Sequence, residues 1–276
     1  MTNIKKFSVG ASSNILANLG GHTDKGFSKY SEAGIPYAEL SLGHDELCIC
    51  GFYENPQKIS ALAAKYGVHF GSFHVPFSDI INPANLISDQ NKTAMEIMEK
   101  SILAALKIGI ETIVIHPSGG TIDDDTRWER LERSAENLAQ LSKLCKENGA
   151  VLALENLPGN CLGNSSFEIV SFLNYIPDIA LCFDTNHLTM QTNEDFLDDL
   201  AEQGMHGRIH AIHASDYDFL EERHNLPGDG INDWSTIISK LNALGYSGIF
   251  MYQTAKNPVT LLDIKDNYEN VILPLL

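Results

Sequence analysis

Eight short apolar runs, each followed by a stretch patterned as a helix, recur along the chain, and that alternation limits what it can fold into. The runs are residues 7–12, 37–41, 68–74, 112–116, 151–155, 179–183, 209–213 and 248–252. They are almost continuously apolar, as strands covered on both faces must be. The clearest helical stretch is 90–108, with Ala94, Met98, Ala105 and Ile108 on one side and Gly109 as a stop. The next is 126–148, with Trp128, Leu131, Ala135, Leu138 and Cys145 at helical spacing. Asp124 or Asp125 is expected to cap it and Gly149 to end it. Strands alternating with helices at this spacing pair in parallel through crossovers, and eight such units predict a closed (β/α)8 barrel. The first unit is the weakest, because 12–22 is rich in Gly and Ser and reads as a loop.

One barrel domain accounts for all 276 residues, with no linker or low-complexity tract. No run of roughly 18 apolar residues occurs, so no membrane partner is expected. The start, Met1-Thr2-Asn3-Ile4-Lys5-Lys6, lacks the apolar stretch of a signal peptide. Five cysteines, an odd number, suggest no disulfide frame, and a reducing cytoplasm is the expected setting. Against 36 Asp and Glu stand only 19 Lys and Arg, a net charge of −17. Such a surface disfavours nucleic acid, whose phosphates need cations, but leaves room for a small phosphorylated ligand.

Chemistry in such a barrel gathers where strands run into the following loops. The third run ends in Phe73-His74-Val75-Pro76, the fourth in Ile115-His116-Pro117 and the fifth in Leu154-Glu155-Asn156. The sixth ends in Phe183-Asp184-Thr185-Asn186-His187, the seventh in Ile212-His213-Ala214-Ser215-Asp216 and the eighth in Tyr252-Gln253-Thr254. After the seventh follows Glu222-Arg223-His224-Asn225-Leu226-Pro227-Gly228-Asp229-Gly230. Taken singly, a histidine at a strand end is more often structural than a ligand, Asp184 reads as a helix cap and Glu222 as a solvated loop charge. Together they place metal-binding or ionisable side chains at successive strand ends, and burying that many unpaired is costly. A bound divalent cation is the simplest compensation.

These motifs resemble the xylose-isomerase-like superfamily of TIM barrels, which contains sugar and sugar-phosphate isomerases and epimerases and the endonuclease IV type of AP endonuclease. The resemblance covers essentially the whole chain. For the isomerase and epimerase branch it implies one metal held by Glu155, Asp184, His213 and, where the family has glutamate, Gln253. A glutamine oxygen can coordinate a metal but cannot serve as a proton acid or base. For the endonuclease branch it implies further zinc ligands at His74, His116, His187, Glu222 and His224, with Glu222 where that branch has aspartate. In isomerase relatives His74, His116 and His187 also line the sugar pocket.

The leading expectation is therefore a metal-dependent isomerase or epimerase of a small sugar, keto-sugar or sugar phosphate, working through an enediolate. Zinc or manganese is favoured over magnesium or cobalt as cofactor. Glu155 is the expected base, with His187 and Arg223 binding hydroxyl or phosphate groups and Trp128 or Phe77 a candidate apolar wall. One base without a partner favours isomerisation over inversion at a single carbon. A zinc phosphodiesterase is the alternative, weakened by the sparse cations Arg127, Arg223 and Lys256 near the expected open face. A non-catalytic sugar- or metal-binding relative is the third reading.

Overall fold

The computed structural model describes residues 7–254 and 259–276. In chain order its elements are β1 (Ser8–Ser12), α1 (Asp24–Ala33), β2 (Tyr37–Ser41), α2 (His44–Ile49), α3 (Gln57–Lys65), β3 (His69–His74), α4 (Ser88–Leu106) and β4 (Thr112–Ile115). They continue with α5 (Arg127–Glu147), β5 (Val151–Glu155), α6 (Ser166–Tyr175), β6 (Ala180–Asp184), α7 (Asn193–Glu202), β7 (Ile209–Ala214), α8 (Trp234–Ala243), β8 (Ile249–Tyr252) and α9 (Leu261–Asn267). All eight strands run parallel, and β1 pairs with β8 to close the barrel. The weak segment after β1 is a 3₁₀ turn, Ser13–Asn18, rather than a helix of the outer ring. No helix among the described residues is long and apolar enough to cross a membrane. The five cysteines are free.

The strands separate two kinds of core by their two-residue period. Outward positions carry large side chains, such as Leu152, Leu154, Leu181, Phe183 and Ile212, which pack beneath the helices in the main hydrophobic cluster. Inward positions carry small ones, with Val114, Ala153, Ala180, Cys182 and Ala211 forming a separate cluster inside the barrel. Two residues further along β5, β6 and β7 the same inward parity puts Glu155, Asp184 and His213 at the C-terminal mouth. Small residues below therefore leave room for polar ones above.

Strand β3 needs a correction to reach that mouth. Its register with β2 shifts between Ala38 and Glu39, so that Ala38 faces Phe70 but Glu39 faces Ser72. The skipped residue is Gly71, where an added Cβ would lie 2.2 Å from Ile249 Cδ1. This bulge turns Ser72 and His74 inward while Phe73 stays in the outer core.

Two expectations for α5 need revising. Thr126, not Asp124 or Asp125, precedes the helix, and both aspartates lie in a 3₁₀ turn. Trp128 is 69% exposed, whereas Leu138 and Cys145 are buried. It borders an open outer groove of about 510 Å³ between α5 and α6, not the barrel mouth, so it is no wall of the site.

Candidate metal centre and active site

A cavity of about 320 Å³ opens at the mouth, and His74, His116, Glu155, His187, Glu222, His224 and Gln253 all line it. Glu155 is the hub. Its Oε2 lies 3.0 Å from His74 Nε2 and 3.2 Å from His116 Nε2, and its Oε1 lies 3.1 Å from His213 Nδ1. Asp184 Oδ2 lies 3.6 Å from the same His213 nitrogen and has no hydrogen-bond partner. Its other oxygen accepts from the backbone N–H of Asn186 at 2.6 Å.

Three of the imidazoles share one arrangement. His74 Nδ1 donates to Val75 O at 2.9 Å, His187 Nδ1 to Asn156 O at 2.8 Å, and His224 Nδ1 to Gln253 O at 3.1 Å. An oxygen that only accepts fixes a proton on that nitrogen, so the other is the one that would offer a lone pair to a cation in the cavity. For His74 this is Nε2 facing Glu155, and for His187 and His224 it is Nε2 facing Glu222 Oε2 at 3.9 and 3.3 Å. His187 also comes within 3.5 Å of Glu155 and 3.6 Å of Asp184, but through the nitrogen already committed to Asn156. Its lone pair therefore serves the Glu222 side.

Donors facing donors across 3.0 to 3.6 Å fit a divalent cation. A tetrahedron with arms of about 2.0–2.1 Å has edges of roughly 3.3–3.4 Å. The orphaned Asp184 Oδ2 is buried without a partner, the condition a cation would relieve. Four donor groups meet at the mouth: His74, His116 and Glu155; His187, Glu222 and His224; Glu155, Asp184 and His187; and Glu155, Cys182 and His213. Burial pushes the Cys182 thiol up to about 12, which makes it the least suited of these donors.

Electrostatics inside the cavity follow from the same contacts. Burial alone would raise the Glu155 carboxyl, but the charges and hydrogen bonds of His213 and His116 hold it well below the usual carboxylate range. Burial likewise opposes charge on His213, yet the neighbouring Cys182 sulfur and the carboxylates of Glu39 and Glu155 raise it well above its ordinary value. His116 goes the other way, lowered by burial to about 4.

The loop after β7 is built by Asp216, which is fully buried. Its Oδ1 accepts from the N–H of Tyr217 and Asn232, and its Oδ2 from Gly228 N–H and Trp234 Nε1. Gly230 passes so close that a Cβ would meet Asp216 Oδ1 at 2.4 Å, so the turn excludes any side chain there. The loop returns through paired backbone bonds between Asp216 and Asn225, each 2.9 Å. His224 sits between these anchors at φ 48, a left-handed conformation uncommon outside glycine.

The structure thus brings Glu155, Asp184 and His213 together, and gathers His74, His116, His187, Glu222 and His224 around them. Gln253 lines the cavity, but among the described residues its side-chain amide makes no hydrogen bond to those three. Arg223 is not among the lining residues. Its half-exposed guanidinium pairs instead with Asp218 at 2.7 Å and Glu221 at 2.9 Å. Arg127 is spent on Glu168 at 2.7 Å, and Lys256 lies outside the described residues. Phe77 does line the cavity, its ring 3.9 Å from that of His116. Sequence reading overlooked Glu39, on β2, whose Oε2 lies 3.0 Å from His213 Nε2. The available signal was a lone carboxylate inside an otherwise apolar strand.

Fold and donor set together define a barrel of the isomerase and AP-endonuclease type. Residues 27–269 match the family model described as "Xylose isomerase-like TIM barrel", and the chain belongs to that family. Among curated proteins it is 29% identical over 120 residues to a "Probable endonuclease 4" of Acholeplasma laidlawii, covering 42% of this chain and 40% of that protein. It is 25% identical over 156 residues to an "Inosose dehydratase" of Histophilus somni, covering 50% and 51%. The matches thus span about half or less of these relatives' lengths. Among solved structures, a D-tagatose 3-epimerase-like protein superimposes with a TM-score of 0.80 at 22% identity, covering 98% of this chain and 97% of that one. A D-psicose 3-epimerase from Clostridium cellulolyticum H10 gives 0.74 at 17% identity, covering 97% and 92%. These likenesses establish the fold.

Proposed function

We propose that this protein is a metal-dependent enzyme that moves a proton at the carbon beside the carbonyl of a small, unphosphorylated sugar or keto-sugar. The observation that carries the reading is Glu155: a carboxylate kept anionic by its histidines, lining a cavity of small-molecule size, at the centre of overlapping metal-donor groups. Glu155, Asp184 and His213 would hold one ion, with Gln253 as the fourth side chain at the same mouth. Imidazole-rich donors favour zinc or manganese over magnesium. A cation bound there supplies Lewis-acid polarisation of the substrate carbonyl, which makes the neighbouring C–H acidic. Glu155 takes that proton, and His74 and His116 keep its carboxylate oriented. Phe77 offers an apolar wall against one face of the substrate. Gln253 has no acidic proton to return from a second face, so Glu155 both removes and replaces the proton, which favours isomerisation over inversion. Among the described residues no Lys or Arg lines the cavity, which favours an unphosphorylated substrate. Five free thiols support a reducing, cytoplasmic setting.

The group His187, Glu222 and His224 favours a second reading, a zinc phosphodiesterase, because it adds donors beyond those one ion requires. The relative named as an endonuclease supports it, while the −17 charge and a lining without Lys or Arg among the described residues oppose it. One experiment separates them. Zinc- or manganese-loaded protein is incubated in heavy water with a panel of ketoses and keto-polyols, and in parallel with a phosphodiester and an abasic duplex. Deuterium entering carbon-bound positions supports proton transfer, whereas hydrolysis without exchange overturns it in favour of the phosphodiesterase.

A further inference from the structure

We infer that Glu39 is a positioning residue that fixes His213 as a metal ligand through its Nδ1. Glu39 lies in the middle of β2, fully buried, and its Oε2 takes two hydrogen bonds, from His213 Nε2 at 3.0 Å and from Ser72 Oγ at 2.9 Å. A carboxylate only accepts, so with a cation at the point shared by Glu155 Oε1 and Asp184 Oδ2 the imidazole would keep its proton on Nε2 and turn the Nδ1 lone pair to the ion. A histidine that ligates a metal usually gives its other N–H to such a partner, which fixes the tautomer and strengthens the donor.

Two further observations support this assignment. The β2–β3 register shift is what sets Ser72 opposite Glu39, so the strand irregularity places a hydroxyl on this carboxylate. Val114, Ala153, Ala180, Cys182 and Ala211 form an apolar cluster inside the barrel. A carboxylate beside such residues is costly to the fold. Its second oxygen, Oε1, has no hydrogen-bond partner, so the fold alone does not satisfy it. Its use runs through His213.

The inference rests on the metal-holding reading of the mouth but on no particular substrate. The test is zinc affinity by chelator competition for wild type, Glu39→Gln and Ser72→Ala, with the Tm of each metal-free protein measured alongside. Glu39→Gln is expected to weaken one zinc-binding step by about 10–100-fold and leave the metal-free Tm unchanged or higher. Ser72→Ala, which keeps the carboxylate and loosens it, weakens the same step by less, and it carries the test if Glu39→Gln does not fold. In zinc-loaded wild type, nitrogen NMR of His213 is expected to show a metal-bonded Nδ1 and a protonated Nε2. Unchanged zinc affinity in both variants, a metal-free Tm that falls while affinity holds, or a metal-bonded Nε2 would overturn the role of Glu39 alone. Wild type that takes up no zinc would overturn both this inference and the metal-holding reading.

Discussion

Replacing Asp216 with asparagine is expected to destabilise the protein and to weaken one part of the metal centre selectively. Asp216→Asn turns one acceptor oxygen into an NH2 group facing two N–H donors, whichever way the amide sits, because each oxygen now accepts two bonds. Hydrogen bonds to charged groups contribute about 1.5–3 kcal/mol each, so losing two removes about 3–6 kcal/mol. Relief of a buried charge offsets part of this, leaving a net loss of about 2–4 kcal/mol. A chain of 276 residues gains roughly 0.6 kcal/mol per degree in unfolding entropy, so the Tm should fall by about 3–7 °C. Glu222 and His224 lie between the anchors that Asp216 provides, so zinc binding by His187, Glu222 and His224 should weaken while that of His74, His116 and Glu155 holds. Calorimetry, hydrogen exchange across 217–232 and stepwise zinc titration read the three effects. A Tm within about 1 °C of wild type, with unchanged exchange in the loop, would refute the role assigned to this carboxylate.

Three further outcomes are expected. Glu155→Gln should slow solvent exchange at the substrate carbon by about 10²–10⁴-fold, and exchange near the wild-type rate would place the base elsewhere. His22 and His116 are both lowered from 6.5 to about 4 by burial, so the unfolded chain binds protons there that the folded one does not. The part of the metal-free protein's stability that these two imidazoles contribute should therefore be full above pH 6.5 and decline as pH falls toward 4, as read by denaturant titration. His74 and His213 are raised, so their contribution is lost only as pH rises and does not cancel this slope. His22→Gln should flatten the slope, and an unchanged slope would remove His22 from the explanation. Gln253→Glu should raise the share of inverted product in NMR assays, and an unaltered product ratio would show that position 253 does not face the second side of the substrate.

Most of the barrel was legible because strand period and loop chemistry are local. Tyr37–Ser41 and Val151–Glu155 fall where the apolar runs put them, and Gly109 and Gly149 follow their helices at φ 80 and φ 76. The short helix α2 was missed, since six residues carry too little periodicity to register. Trp128 illustrates a different failure: helical spacing gave its row but not its accessibility, which depends on how far the neighbouring helix reaches. Arg223 stands only five and two residues after its partners, Asp218 and Glu221, but sequence proximity does not show which way a loop turns its side chains. Glu39 escaped because its partner His213 is 174 residues away, and the bulge that pairs it with Ser72 leaves no pattern beyond a glycine.

Glu155 belongs to three of the four donor groups at the mouth, and that sharing has a thermodynamic consequence. Two carboxylate oxygens cannot serve several ions as though each were alone. Were two cations held there, one entering against His74 and His116 would draw on the same negative charge that its neighbour needs, so the affinities would be linked and filling ordered rather than independent. Removal by a chelator should run through the same order in reverse. The metal content of such a centre is then a function of cation supply, and a stoichiometry measured at one concentration describes one step of a sequence.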